Sequence, residues 1–280
     1  MLLKEGIAPT TVIAGLTELI TRLQNLASTW GTGTDAWRYG QNSYLQTTET
    51  MEQLLLSWFE DDDGVGAGVQ GGGYRLVREM TAATPRPYPL VSGEIDRQVR
   101  ALTALKTKLE VLQTLQARDG DPAVLDTNVL MHFQRLDEIP WAEVLGKGPV
   151  RIILPICVID ELDNKKYTGS DRMSRRADQA IRVLRQYSSQ LGPGSCVTLP
   201  DGTMLEIFLD EPDHRRKLNP DEELFSRCTL LERMIGKPLK IVTGDLGMQL
   251  RADAHSLGSV ELPDKYAKDA LRRSQASDET

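Results

Sequence analysis

Apolar residues recur through the first part of the chain at spacings of three and four. Val12, Leu16, Leu19, Leu23, Leu26 and Trp30 form one stripe, and Tyr44, Met51, Leu54 and Trp58 a second. Ile95, Val99, Leu102, Leu105, Leu109 and Leu112 form a third. This periodicity predicts amphipathic helices that bury one face, so residues 1–118 read as a helical region. A small bundle without chemistry accounts for the stripes. Their spacing would equally serve pairing with a second copy, so dimerising and regulatory roles both stay open. The glycine-rich DDDGVGAGVQGGG, residues 61–73, has no lysine followed by Ser or Thr to close it as a phosphate-binding loop, and reads as a flexible surface loop. PRPYP at 85–89 reads as a non-helical break. ARDGDP at 117–122 is turn chemistry and marks a domain boundary.

Beyond that boundary the pattern changes. Short β-type apolar runs fall at residues 123–125, 150–154, 239–242 and 260–262. Helical patterns cover 128–136, 158–166, 172–190, 220–235 and 246–257. Alternation of this kind predicts an α/β domain, a parallel central sheet flanked by helices, over residues 119–265. VTLPDGTMLEIFLD at 197–210 adds a hairpin about Asp201-Gly202. Residues 266–280 are a polar tail, of a kind commonly disordered.

Composition narrows the class. The 280 residues are 40% hydrophobic, enough for a real core, and carry a net charge of −7 from 33 basic and 40 acidic residues. Bulk charge therefore does not signal nucleic-acid binding, although local basic patches matter more. Cys157, Cys196 and Cys228 are far apart and read as reduced structural thiols rather than a disulfide framework or zinc knuckle. The opening MLLKEGIAPTTVIAGL lacks the pattern of a signal peptide, and no apolar run is long enough to span a membrane. A soluble cytoplasmic protein is the expectation.

Candidate chemistry lies at the strand ends, where parallel α/β sheets bind ligands. Asp126 follows the first strand, and Thr243-Gly244-Asp245 follows 239–242. ICVIDELDNKK after Pro155 carries Asp160, Glu161 and Asp163, and NPDEELF opens a helix with Asp221, Glu222 and Glu223. Each has a plain structural reading. Asp126 or Asn128 could cap a helix, Asn219 and Pro220 suit a helix start, and Asp245 could cap 246–257. Glu161 and Lys165 are an ordinary helical ion pair. Together, several carboxylates at one edge would repel one another unless cations neutralise them. Oxygen-only ligation selects a hard metal, Mg²⁺ or Mn²⁺. His132, His214 and His255 are isolated in sequence, so no zinc site is expected.

The ordered set LDTNVL at 125–130, VIDELDNKK at 158–166, DEELF at 221–225 and VTGDLGMQLRA at 242–252 resembles the PIN-domain nucleases, over residues 123 to about 262. The inserted hairpin and the ELD-plus-lysines helix are most similar to the larger PIN domains, such as the one preceding PhoH-type ATPases. The helical first half carries no resemblance. The resemblance implies a three-layer PIN-like fold and a metal-dependent ribonuclease with an acidic tetrad. Asp126, Glu161, Asp221 and Asp245 match that tetrad, both as catalytic residues and as ligands of Mg²⁺ or Mn²⁺. Asp126 and Asp245 would hold the principal metal. Leu224, three positions on, favours Asp221, and Glu222 is its rival. Thr127, Asn128 and Thr243 match supporting positions.

An acidic pocket needs basic neighbours to hold RNA. Lys165, Lys166, Arg172, Arg175, Arg176, Arg215 and Arg216 are the candidates, against a solvated helix face or loop for each. RNA is the expected partner, a homodimer stays open, and neither a membrane nor a nucleotide cofactor is expected. Competing readings are a binding module that kept the fold without turnover and the toxin component of a toxin–antitoxin pair. Trp37-Arg38-Tyr39 reads equally as packing or as a base-stacking cluster.

Overall fold

The computed structural model describes residues 3–28, 36–60, 69, 71–146, 148–192, 194–211 and 214–269. The chain divides into two compact units, Met1–Thr114 and Leu115–Thr280. The first is helical. Helix α1 covers Pro9–Ser28, α2 Ala36–Trp58 and α3 Gly72–Arg78, and α4 begins in this unit and covers Pro87–Ala117. The apolar stripes lie inward. Val12, Leu16, Leu19, Leu23 and Leu26 are buried on α1, and Tyr44, Met51 and Trp58 on α2, where Leu55 is buried in place of the half-buried Leu54. Trp30 lies outside the described residues. Trp37 is buried under Arg38, whereas Tyr39 is 66% exposed.

Two expectations for this unit are corrected. PRPYP does not break a helix, because Pro87 opens α4 with Pro89 in its first turn. The first amides of a helix have no acceptor within it, so proline loses nothing there. The glycine-rich stretch is not loop throughout. Residues 61–68 and 70 lie outside the described residues, but Gly72 and Gly73 open α3. Gly73 faces Glu94, and a Cβ there would sit 1.7 Å from its carboxylate. Glu94 is buried, and accepts hydrogen bonds from the Tyr44 hydroxyl (2.9 Å), Gln98 (3.0 Å) and Arg97 (2.6 Å).

The second unit is built on a six-stranded sheet ordered β3-β4-β2-β1-β5-β6. Its strands are β1 Asp121–Leu125, β2 Val150–Pro155, β3 Cys196–Thr198, β4 Met204–Phe208, β5 Lys240–Thr243 and β6 Gly258–Glu261. All pairs are parallel except β3 with β4. The expected hairpin forms, and its second strand continues the main sheet beside β2. The helices of this unit are α5 Thr127–His132, α6 Trp141–Leu145, α7 Ile156–Thr168, α8 Asp171–Tyr187, α9 Pro220–Ile235 and α10 Leu246–Ala254. Three, α5, α8 and α10, end before their periodicity suggests. Phe133 turns extended after α5 and bridges Ala267, and Ser256 takes a left-handed φ of 58° after α10. Among the described residues, no helix is long and apolar enough to cross a membrane.

Strand β2 is buried along its whole length, as a central parallel strand must be, yet it contains Arg151. The Arg151 guanidinium is tolerated because Glu206 on β4 accepts from its Nε at 2.8 Å and its Nη2 at 3.2 Å. The Leu115 carbonyl takes Nη1 at 2.9 Å, and Arg118 also donates to Glu206. Removing one partner of such a pair leaves an uncompensated buried charge. Glu206→Ala is therefore expected to lower unfolding free energy by about 3–5 kcal/mol in urea denaturation. A loss below about 1 kcal/mol would show that the pair is not needed for stability.

Candidate active site

The sheet's growth reverses at β1. The chain adds β2, β4 and β3 on one side, then β5 and β6 on the other. Such a switch point leaves a crevice beyond the carboxyl ends of the two central strands. Asp126 leaves β1 there and caps α5. Its Oδ1 accepts the Val129 amide at 2.7 Å, and its Oδ2 accepts the Thr243 hydroxyl at 2.5 Å. Thr243 ends β5, and its Oγ1 also accepts the Asp245 amide at 3.0 Å. The capping and strand-end readings of Asp126 are thus both true. The cap fixes the carboxylate at the crevice.

The other two acids arrive on helices, Glu161 in the second turn of α7 and Asp221 at the start of α9. Helix α7 follows β2 without a loop and carries Glu161, whose Oε2 accepts the Thr127 hydroxyl at 2.5 Å. At α9, Asn219 accepts the Asp221 amide (2.9 Å) and Pro220 takes the first position, which places Asp221 in the first turn. Asp126, Glu161 and Asp221 line one cavity of about 30 Å³ with Thr127, Asn128 and Cys157. That is room enough for a water or a bare ion. Glu222 turns away and lines a separate depression with Lys217 and Arg233. Asp245 is exposed and is not on the cavity wall. It caps α10 by accepting the Gly247 amide at 2.8 Å, and it joins the site through its own amide and Thr243.

Burial pushes the Asp126 pKa upward, and the nearby Glu161 charge adds to it, against the hydrogen bonds from Thr243 and Val129. Side-chain cations hold the other two wall acids. Lys165 lies 2.8 Å from Glu161, and Arg251 lies 2.7 Å from Asp221. Burial, followed by the charges of Glu223 and Asp210, pushes the Cys157 thiol up to about 11. It is protonated at neutral pH and is no nucleophile.

Several basic candidates are already engaged. Lys166 pairs with Asp178 at 2.8 Å, and Arg216 bridges Asp160 and Asp210 at 2.6 Å each. Arg215 is exposed. Arg172, Arg175 and Arg176 line a depression on α8. His214 is not isolated, which corrects the expectation from sequence. Its Nε2 lies 2.6 Å from Glu223, and Asp210, His214 and Glu223 bring donor atoms within 4.8 Å of one another. Their separation in sequence hid this grouping, which the turn from β4 into α9 creates. Arginines face one member of the group, Asp210. Arg216 pairs with Asp210, and the buried Arg227 faces Asp210 at 3.6 Å and Glu211 at 2.9 Å. Arg251, Lys165 as the partner of a wall acid, and Asp269 are the further residues that the structure brings to this region.

No curated protein matches the chain. Residues 123–262 match the family model of the PIN domain. The match covers half of the 280 residues and includes the crevice, its three wall acids and Asp245. The chain belongs to the PIN domain family, and its second unit carries a nuclease-like fold.

Proposed function

We propose that the chain is a metal-dependent endoribonuclease. The observation that carries this reading is the convergence of Asp126, Glu161 and Asp221 on one small cavity at the sheet's switch point. Those donors fit a hard divalent cation. They are all oxygens, and the most buried of them is destabilised as an anion by burial and by its neighbour Glu161. Asp126, Glu161 and Asp221 would hold the ion, with Asp245 beside them. Mg²⁺ or Mn²⁺ would neutralise charge on the scissile phosphate and make water more acidic.

The chain's own groups set the geometry. Thr243 and the Val129 amide fix both oxygens of Asp126, and Thr127 fixes Glu161. Lys165 and Arg251 balance Glu161 and Asp221, and each must yield part of its carboxylate when a cation enters. Hydrolysis adds water across one P–O bond and leaves a hydroxyl on one fragment and a phosphate on the other. The basic residues of α7 and α8 offset the repulsion between an acidic cavity and a polyanion.

The two side-chain cations also favour a second reading, in which Lys165 and Arg251 permanently replace the metal and the domain binds RNA without turnover. Cleavage of labelled single-stranded RNA in Mg²⁺, Mn²⁺ or EDTA separates the two. Metal-dependent cutting is expected, with a loss of at least about 10²-fold in Asp126→Asn/Asp245→Asn. No cutting in either metal by folded protein would leave the binding reading. Stability gives an independent test. Because the folded pKa of Asp126 is raised, its ionised form costs stability at neutral pH, and the cost disappears as pH falls through that pKa. Without divalent metal at pH 7, Asp126→Asn is therefore expected to raise the Tm by about 2–4 °C. Mn²⁺ is expected to stabilise the wild type and not the variant in the same thermal scan.

A further inference from the structure

The segment after Tyr266 reads as the start of a disordered tail, yet residues 266–269 are held in place. Tyr266 is buried, and its carbonyl accepts the Gln134 amide at 2.8 Å. Ala267 bridges Phe133, and Lys268 donates to the Met131 carbonyl at 3.0 Å. These contacts run along the end of α5 and deliver Asp269 to α8. Arg172 Nη2 donates to both Asp269 oxygens at 2.8 Å, and Arg176 Nη2 donates to Oδ1 at 2.7 Å. Residues 270–280 lie outside the described residues.

The receiving face has more positive charge than one carboxylate balances. Arg172, Arg175, Arg176 and Gln179 line an open depression of about 330 Å³. Their spacing puts them on one helix face. Guanidinium groups offer paired N–H donors that match a carboxylate and a phosphate equally. Helix α5 lies between the depression and the cavity, with Asp126 capping its start and its last residue, His132, meeting Arg176. Arg176, Lys165 and Lys268 all act on His132, and Lys165 also pairs with Glu161 on the cavity wall. Arg176 Nη1 lies 2.5 Å from His132 Nδ1.

We propose that Arg172, Arg175 and Arg176 form a phosphodiester subsite for the strand entering the Asp126 cavity, and that Asp269 occupies it as an internal competitor. The proposal rests on the ribonuclease reading for its substrate. The Asp269 pairs are partly exposed, and such pairs hold weakly. A strand offering several phosphates gains from counterion release and displaces a lone carboxylate. The segment is thus a latch that RNA opens, and it lowers affinity for ligands that present a single anion.

The test is anisotropy of a fluorescent single-stranded RNA with the full-length chain in EDTA, titrated with NaCl. Asp269→Asn is expected to bind about 3–10-fold more tightly at low salt, with a salt slope steeper by about one phosphate contact. Arg172→Glu/Arg175→Glu changes two exposed side chains, so folding is not at risk. It is expected to weaken binding and to abolish the gain from Asp269→Asn. Unchanged or weaker binding by Asp269→Asn overturns the competitor. Inorganic phosphate, at matched ionic strength, is expected not to displace the RNA, and displacement would overturn the backbone assignment in favour of a free-phosphate site. Cleavage in Mn²⁺ separates this from the larger reading. Metal-dependent cutting with no effect of Asp269→Asn sinks the latch alone. A gain in binding without cutting leaves the subsite and sinks the nuclease. No RNA binding by any variant sinks the subsite.

Discussion

A carboxylate buried at the end of a central β-strand is the constraint on which this domain turns. Asp126 is 2% exposed, and it takes a hydroxyl and an amide where the buried Glu94 and Glu206 take an arginine. A hydroxyl and an amide orient a carboxylate without cancelling its charge. Burial then disfavours the ion, and the approach of Glu161 disfavours it further. Glu206 shows the contrast. It is just as buried, but Arg151 and Arg118 neutralise it, and it fastens β2 to β4. The same residue type thus serves two ends, and the partner tells them apart. An acid locked to guanidinium is neutralised by the fold, and Asp126, held by a hydroxyl and an amide, is oriented without being neutralised.

That distinction also ranks the two places where a metal could sit. Asp210, His214 and Glu223 bring their donors closer together than the crevice acids do. Proximity alone would favour them. Yet Arg216 and Arg227 already face Asp210, and Glu223 also accepts the Lys217 amide at 2.8 Å. The Asp210 charge there is balanced by arginine, and Glu223 is held by His214 and an amide. In the crevice charge is balanced only at the rim, by Lys165 and Arg251, and Asp126 lies deeper. The buried cluster has a different part to play. It braces the turn from β4 into α9, and so holds the start of the helix that carries Asp221.

Much of this could be read from sequence because it depends on local order. The apolar runs at 123–125, 150–154 and 239–242 fall in β1, β2 and β5, acids follow each within a few residues, and parallel pairing places their ends on one edge. The capping residues Asp126, Asn219 and Asp245 lie within three positions of the amides they accept. What depends on a third dimension stayed hidden. No spacing rule joins Arg251 to Asp221 across 30 residues, or His214 to Asp210 and Glu223 around a turn. The choice between Asp221 and Glu222 needed the helix rotation that sends them into different depressions. PRPYP misled because proline's effect depends on position, and a helix's first turn tolerates it.

Helix α5 ties these observations together. It has six residues, so it is only about 9 Å long. Asp126 caps its first turn at the crevice. Its last residues, Met131 and His132, meet Lys268 and Arg176 at the other end. Val129, Leu130 and Met131 are buried between, so the helix is packed on its sides and cannot tilt freely. A short, packed helix transmits displacement rather than absorbing it. The crevice and the α8 arginines therefore adjoin opposite ends of one short, packed helix. A strand lying across both would meet the crevice acids and the proposed latch.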